Sequence, residues 1–300
     1  MKKAIFLLLS IILMLSVFTA CTKGDSNDSD NNQASDKSSE QVSFTIDSHY
    51  ENIDESAVRA YEKLCSAVIN GEKEVKFNTS LLDDVHNLFY TSFPLFSLVE
   101  SIQILPDSSG ISLTYKNSDE EHKTIVSGFL NRINEIMQQC QYGKVSTDTY
   151  VFNVYTYITS NFILDSSVIT ISDALTDNKG YSAVLCSLFE YLVLQGGGKA
   201  SHIINVYSSS MISLVQFKGE WYYFNPALDM GDDQGKSLKG FAMNNERAGN
   251  IEYTYTDYSA VAVVEDNTFD ELKNSISFEI MDNKVNVTCS DNESFMLELN

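Results

Sequence analysis

The side chains able to do chemistry in this chain are few and far apart. There are five cysteines, Cys21, Cys65, Cys140, Cys186 and Cys289, and four scattered histidines. A thiol or hydroxyl nucleophile needs a base within hydrogen-bond reach and a third group to orient that base. Ser182 follows a turn at Gly180 and opens an apolar run, so its hydroxyl is expected at a helix start. Cys186 lies one helical turn further in, and Asn225 precedes Pro226 at the end of an aromatic run. No two cysteines form a CxxC pair, so no zinc centre is expected, and no motif calls for a metal or a cofactor. Cys65, Cys140 and Cys186 each fall on an apolar helical face, where a buried thiol is the ordinary state. A disulfide among Cys65, Cys140, Cys186 and Cys289 could form outside the cell, but their spacing assigns no pairing.

The elements that would position these groups run from Asn178 to Asp229. Val184, Leu185, Leu188, Leu192 and Val193 recur at helical spacing, and Gly196 to Gly198 stops that helix. His202 to Tyr207 and Met211 to Phe217 read as strands. Lys218-Gly219 makes a turn, and Trp221 to Phe224 is a third, aromatic strand ending at Pro226. The expected arrangement is a helix laid on an antiparallel sheet, in an α+β chain. Before it, the pattern predicts helices over 56–70 and 81–90, a hairpin of 101–105 with 111–115, and helices opening at Ser118 and Ser146. After it, Ile276, Phe278 and Ile280, then Val285 and Val287, then Phe295, Leu297 and Leu299 alternate as antiparallel strands do.

This order resembles the transglutaminase-like family, within the papain-like cysteine enzymes. That family's pattern is Gly-x-Cys at the start of a buried helix, a strand opening with His-x-Trp, then Gly-x-Trp-Tyr-x-x-Asp-Pro. Gly180 and the run Gly219-Glu-Trp-Tyr-Tyr-Phe-Asn-Pro226 match it. The helix ending in Asn-Gly at 70–71, the Phe93-Pro-Leu-Phe96 turn and the hairpin ending in Thr-Tyr at 114–115 are similar to secreted Gram-positive members. The resemblance spans roughly residues 45–245 and implies a Cys-His-Asp triad. Ser182 stands at the nucleophile position, Ser210 at or next to the base and Asn225 at the acid. All three triad positions are substituted, so the resemblance implies the frame without the chemistry. Two rescues are weighed: Cys186 as a displaced nucleophile, expected to be buried and inert, and His202 as a displaced base. Tyr181, Trp221, Tyr222, Tyr223 and Phe224 would cluster near the cleft. Trp221 is expected to pack on the helix, and Tyr181, Trp221 and Tyr223 could line an aromatic groove for a peptide or glycan.

Residues 1–20 read as a secretory signal, with Lys2 and Lys3 before the apolar run Ile5 to Val17. Phe18-Thr-Ala-Cys21 resembles a lipobox, which implies acylation (palmitate among the chains) of Cys21 and a membrane anchor at the outer face of the cell. Residues 21–43 are polar and aperiodic and read as a flexible tether. The expected organisation continues with an N-terminal α/β region at 44–165, a transglutaminase-like core at 166–245 and a β-rich segment at 246–300. The net charge is −21, and removal of Lys2 and Lys3 lowers it by two more. Such a chain repels nucleic acid, which is excluded as a partner. The reading is a cell-envelope lipoprotein with an inactive transglutaminase-like domain that binds a peptide, glycan or protein. The alternative is a cysteine or serine peptidase or acyltransferase with a displaced nucleophile at Cys186 or Ser182.

Overall fold

A buried helix set on an antiparallel sheet forms the centre of the protein, and the chain is α+β. The computed structural model describes residues 44–50, 52–204, 211–230, 236–249, 264–281, 283–291 and 293–299, all of them within the unit Glu40–Asn300. Cys21, the tether and Ser210 lie outside the described residues.

Helix α1 (Glu55–Asn70) starts where the Asp54 carboxylate accepts the Ser56 N–H at 2.6 Å, and it ends at Gly71 in the left-handed conformation. Strand β1 (Glu74–Lys76) and helix α2 (Leu82–Ser92) follow. β2 (Val99–Ile104) and β3 (Gly110–Tyr115) make the expected hairpin, and β1 joins the free edge of β3. Helix α3 (Asp119–Gln139) opens on a full capping box between Ser118 and Glu121. Helix α4 (Thr147–Asn161) is capped by Ser146. The hydroxyls of Ser146 and Thr149 also donate to the carbonyl of Leu299, at 3.1 and 2.6 Å, and so fasten the end of the chain to this helix.

The two-residue strands β4 (Ile163–Leu164) and β5 (Lys179–Gly180) pair in parallel around the short helix α5 (Ile171–Asp177). Helix α6 (Ser182–Gln195) begins directly after them. Strands β6 (Ala200–Ile204), β7 (Met211–Phe217) and β8 (Glu220–Phe224) form one antiparallel sheet in that order. A second meander, β9 (Ser275–Met281), β10 (Lys284–Cys289) and β11 (Ser294–Glu298), closes the chain, as the alternation there predicts.

From Val184 to Gln195 every residue of α6 except Ser187 is buried. A helix apolar on nearly all sides must be covered on all sides. The sheet β6–β7–β8 covers one side and α4 another. Phe189 sits 5.6 Å from the ring of Tyr155 on α4 and 5.4 Å from Phe224 on β8. Each fully buried ring of this kind contributes about 1.5–3 kcal/mol. At the far end, a Cβ on Gly196 would stand 2.1 Å from Cε1 of Tyr150, so the helix exit passes directly over that ring.

One expectation is corrected here. Trp221 does not pack on α6. The pleat of β8 sends Tyr222 and Phe224 to one face and Trp221 and Tyr223 to the other. Phe224 takes the position against Phe189, while Trp221 is half-buried at the margin of the core.

Candidate functional site

The start of α6 is built as the sequence predicts. Gly180 is pinned by β5, where its carbonyl accepts the Asp165 N–H at 3.0 Å, and the Tyr181 N–H donates to Val168 at the same distance. A Cβ on Gly180 would meet the Leu185 side chain at 2.8 Å, so a larger residue there requires that side chain to shift. Tyr181 is the N-cap, gives no side-chain cap, and is 39% exposed. Ser182 is then the first helical residue and is partly exposed. Its hydroxyl has no hydrogen bond among the described residues.

Ser182, Cys186 and Glu190 recur every fourth residue and share one stripe of α6. Under that stripe, His202, Ser213 and Phe224 are direct neighbours across β6, β7 and β8 and share one face of the sheet. The Ser213 hydroxyl donates to the Cys186 carbonyl at 3.0 Å. The Cys186 thiol is wholly buried and points at Oδ1 of Asn225, 3.9 Å away. Burial, followed by the nearby Glu190 charge, pushes this thiol up to about 12. It is protonated near neutrality and has no access to solvent, so it lacks the thiolate that cysteine catalysis uses.

Asn225 is occupied by the fold. Its Oδ1 accepts the Ala227 N–H at 3.2 Å and caps the 3-10 turn Pro226–Asp229. Its own N–H donates to Gly240 at 2.8 Å. Behind it the buried Asp229 carboxylate accepts the Tyr155 hydroxyl at 2.5 Å and the N–H groups of Lys239 and Gly240 at 2.8 and 2.9 Å. This network fixes the strand exit after β8.

His202 belongs to a different place. Its Nδ1 lies 3.0 Å from Oδ2 of Asp47 and 3.6 Å from Oε2 of Glu190. Glu190 is eight residues past Ser182, about 12 Å along the helix at 1.5 Å per residue. His202 is therefore too far along α6 to serve as a displaced base for Ser182. Burial by itself would push the imidazole down; the Glu190 and Asp47 carboxylates overcome it and hold His202 well above its usual range. Burial, then the Asp47 charge, raises Glu190 to about 7.

The three aromatic candidates are not brought together as one groove. Tyr181 is exposed at the start of α6, whereas Tyr223 is wholly buried and presents no surface to a ligand. Trp221 lies near the start of β8, three residues and about 10 Å of extended strand before Phe224. All four cysteines of the described region are free and buried. Sequence reasoning passed over Asp47 and Glu190. The signal for Glu190 was a carboxylate inside the apolar run Leu188-Phe-Glu-Tyr-Leu-Val193, which must either reach water or find a partner.

No protein-family model matches the chain, and no curated protein matches it. A solved structure from Cytophaga hutchinsonii, described as a "Putative Cysteine Protease", is similar at 12% identity with a TM-score of 0.28. The match covers 42% of this chain and 46% of that one, so the chain spans under half of that protein's length. A likeness this slight bears on neither fold family nor activity.

Proposed function

We propose that this protein is a Gram-positive cell-envelope lipoprotein whose transglutaminase-like domain is catalytically inactive and serves as a binding or assembly module for a peptide, glycan or protein. The observation that carries this reading is the pairing of Ser182 with Cys186 on α6. A serine with no hydrogen-bonded base among the described residues stands where a nucleophile would be, and the neighbouring thiol is buried, protonated and aimed at an amide oxygen. Neither group meets the requirements for attack on an acyl centre. The leader at 1–20, the acylated Cys21 and the polar tether at 21–43 would place the domain outside the cytoplasmic membrane. The charge of −21 supports a partner other than nucleic acid.

The test is turnover. The soluble chain carrying Cys21→Ser is assayed for hydrolysis and transamidation of glutamine peptides, beside the same chain with Ser182→Ala. Equal, background-level rates are expected. Turnover above background that disappears with Ser182→Ala or Cys186→Ala would establish an enzyme with a displaced nucleophile instead.

A further inference from the structure

Three side chains that arrive from separate elements meet inside the protein next to α6. Asp47 comes from the segment before α1, Glu190 from the middle of α6 and His202 from β6. One donor atom from each of the three lies within 4.8 Å of the other two. The pairs measured to the imidazole are 3.0 and 3.6 Å. Ligands held about 2.0–2.2 Å from one zinc ion at angles between square and trigonal are separated by about 3.0–3.6 Å. The spacing is that of a coordination shell as well as that of an ion pair.

A second observation favours the coordination shell. Oε2 of Glu190 is buried in a residue only 4% exposed, and the imidazole Nδ1 lies 3.6 Å from it. Its separation from Nδ1 is too long for a hydrogen bond. A bare carboxylate oxygen costs free energy in the interior unless something satisfies it. One divalent cation between two carboxylates and a neutral imidazole would supply that oxygen with a partner.

We propose that Asp47, Glu190 and His202 form a site for one first-row divalent cation, and mixed imidazole and carboxylate ligands make zinc the fitting ion. The cation would lie at the inner end of His202, whose side chain is 22% exposed and gives the route from solvent, against 1% for Asp47. Three protein ligands leave room for at least one water. The site also has a mechanical consequence. Phe44 to Tyr50 is held to the body through Asp47, whose N–H donates to the Ser92 hydroxyl at 3.0 Å, and through Ser48, whose hydroxyl accepts the Ala200 N–H at 3.0 Å. A cation on Asp47 would lock this segment, which follows the tether, onto α6 and β6.

The probe is zinc chloride, titrated calorimetrically into the soluble chain carrying Cys21→Ser in a non-chelating buffer at neutral pH. Saturation at one equivalent is expected. Glu190→Gln and Asp47→Asn should each weaken binding by at least about tenfold, as loss of a metal-site partner does. His86→Ala, which removes an exposed imidazole on α2, should leave binding unchanged. Because the buried variants could fail to fold, the wild-type complex is also read by zinc K-edge X-ray absorption. A nitrogen and oxygen shell with one imidazole and no sulfur at about 2.3 Å is expected. No saturable binding, a shell with sulfur, a shell without imidazole, or undiminished affinity in a folded Glu190→Gln would each overturn the site. None of these readouts depends on whether the domain turns over a substrate.

Discussion

The Cys186 thiol faces Oδ1 of Asn225 at 3.9 Å, one helical turn inside Ser182. The only thiol on α6 therefore looks into the packed junction between helix and sheet, and Asn225 is spent on capping its own turn.

Burial of acidic protons makes the fold sensitive to alkali. Cys140 and Cys186 are each pushed up to about 12 by desolvation, from an ordinary value of 9.0. Tyr61, Tyr155 and Tyr191 move in the same direction by burial. Above pH 9 the unfolded thiols release protons that the folded ones keep, so the unfolded state binds fewer protons and stability falls as pH rises. The urea midpoint should drop steadily between about pH 9 and pH 11. A flat midpoint across that range would contradict the burial of these groups.

The two faces of β8 should respond differently to truncation. Phe224 is wholly buried against Phe189, so Phe224→Ala is expected to cost about 3–5 kcal/mol. Trp221 is half-buried on the opposite face, so Trp221→Ala should cost about 1 kcal/mol, the ordinary size for a point mutation. Chemical denaturation of both variants checks the order. A larger loss for Trp221→Ala would mean that the strand is phased the other way.

Two glycine replacements should have opposite signs. A Cβ on Gly240 would stand 2.1 Å from the Asn225 carbonyl oxygen and 2.7 Å from the Tyr155 hydroxyl, so Gly240→Ala forces the strand exit apart. Overpacking of this kind costs about 1–3 kcal/mol. Gly128 lies exposed in α3 with nothing near its Cβ position, and Gly128→Ala should stabilise by about 1 kcal/mol through helix propensity. Thermal melts of the pair read both shifts.

Anchoring is tested by fractionation. The chain with Cys21 should partition with membranes and carry acyl chains, and Cys21→Ser should move to the soluble fraction or remain unprocessed. A mutant that is processed and fractionates like wild type would remove the lipoprotein reading.

Much of the fold was legible because its signals are local. Ser118 with Glu121 announces α3, Asn70-Gly71 ends α1, and the leucines of α6 mark a buried helix by their spacing. The face of β8 was not legible, since Trp221-Tyr-Tyr-Phe224 is aromatic throughout and carries no alternation to set its phase. The Asp47, Glu190 and His202 cluster was not legible either. Metal motifs are recognised by short spacing, and these three side chains come from the segment before α1, a helix and a strand that only the tertiary fold brings together. Ser210, read as the base position, lies outside the described residues.

The most direct measurement is intact-mass analysis of the folded soluble chain after exposure to a thiol-reactive electrophile and, separately, to a serine-directed acylating probe. The expected result is no adduct in the folded state, with Cys65, Cys140, Cys186 and Cys289 all labelled once urea unfolds the chain. Stoichiometric labelling of the folded protein at Ser182 or Cys186 would contradict the inactive reading and identify the working nucleophile.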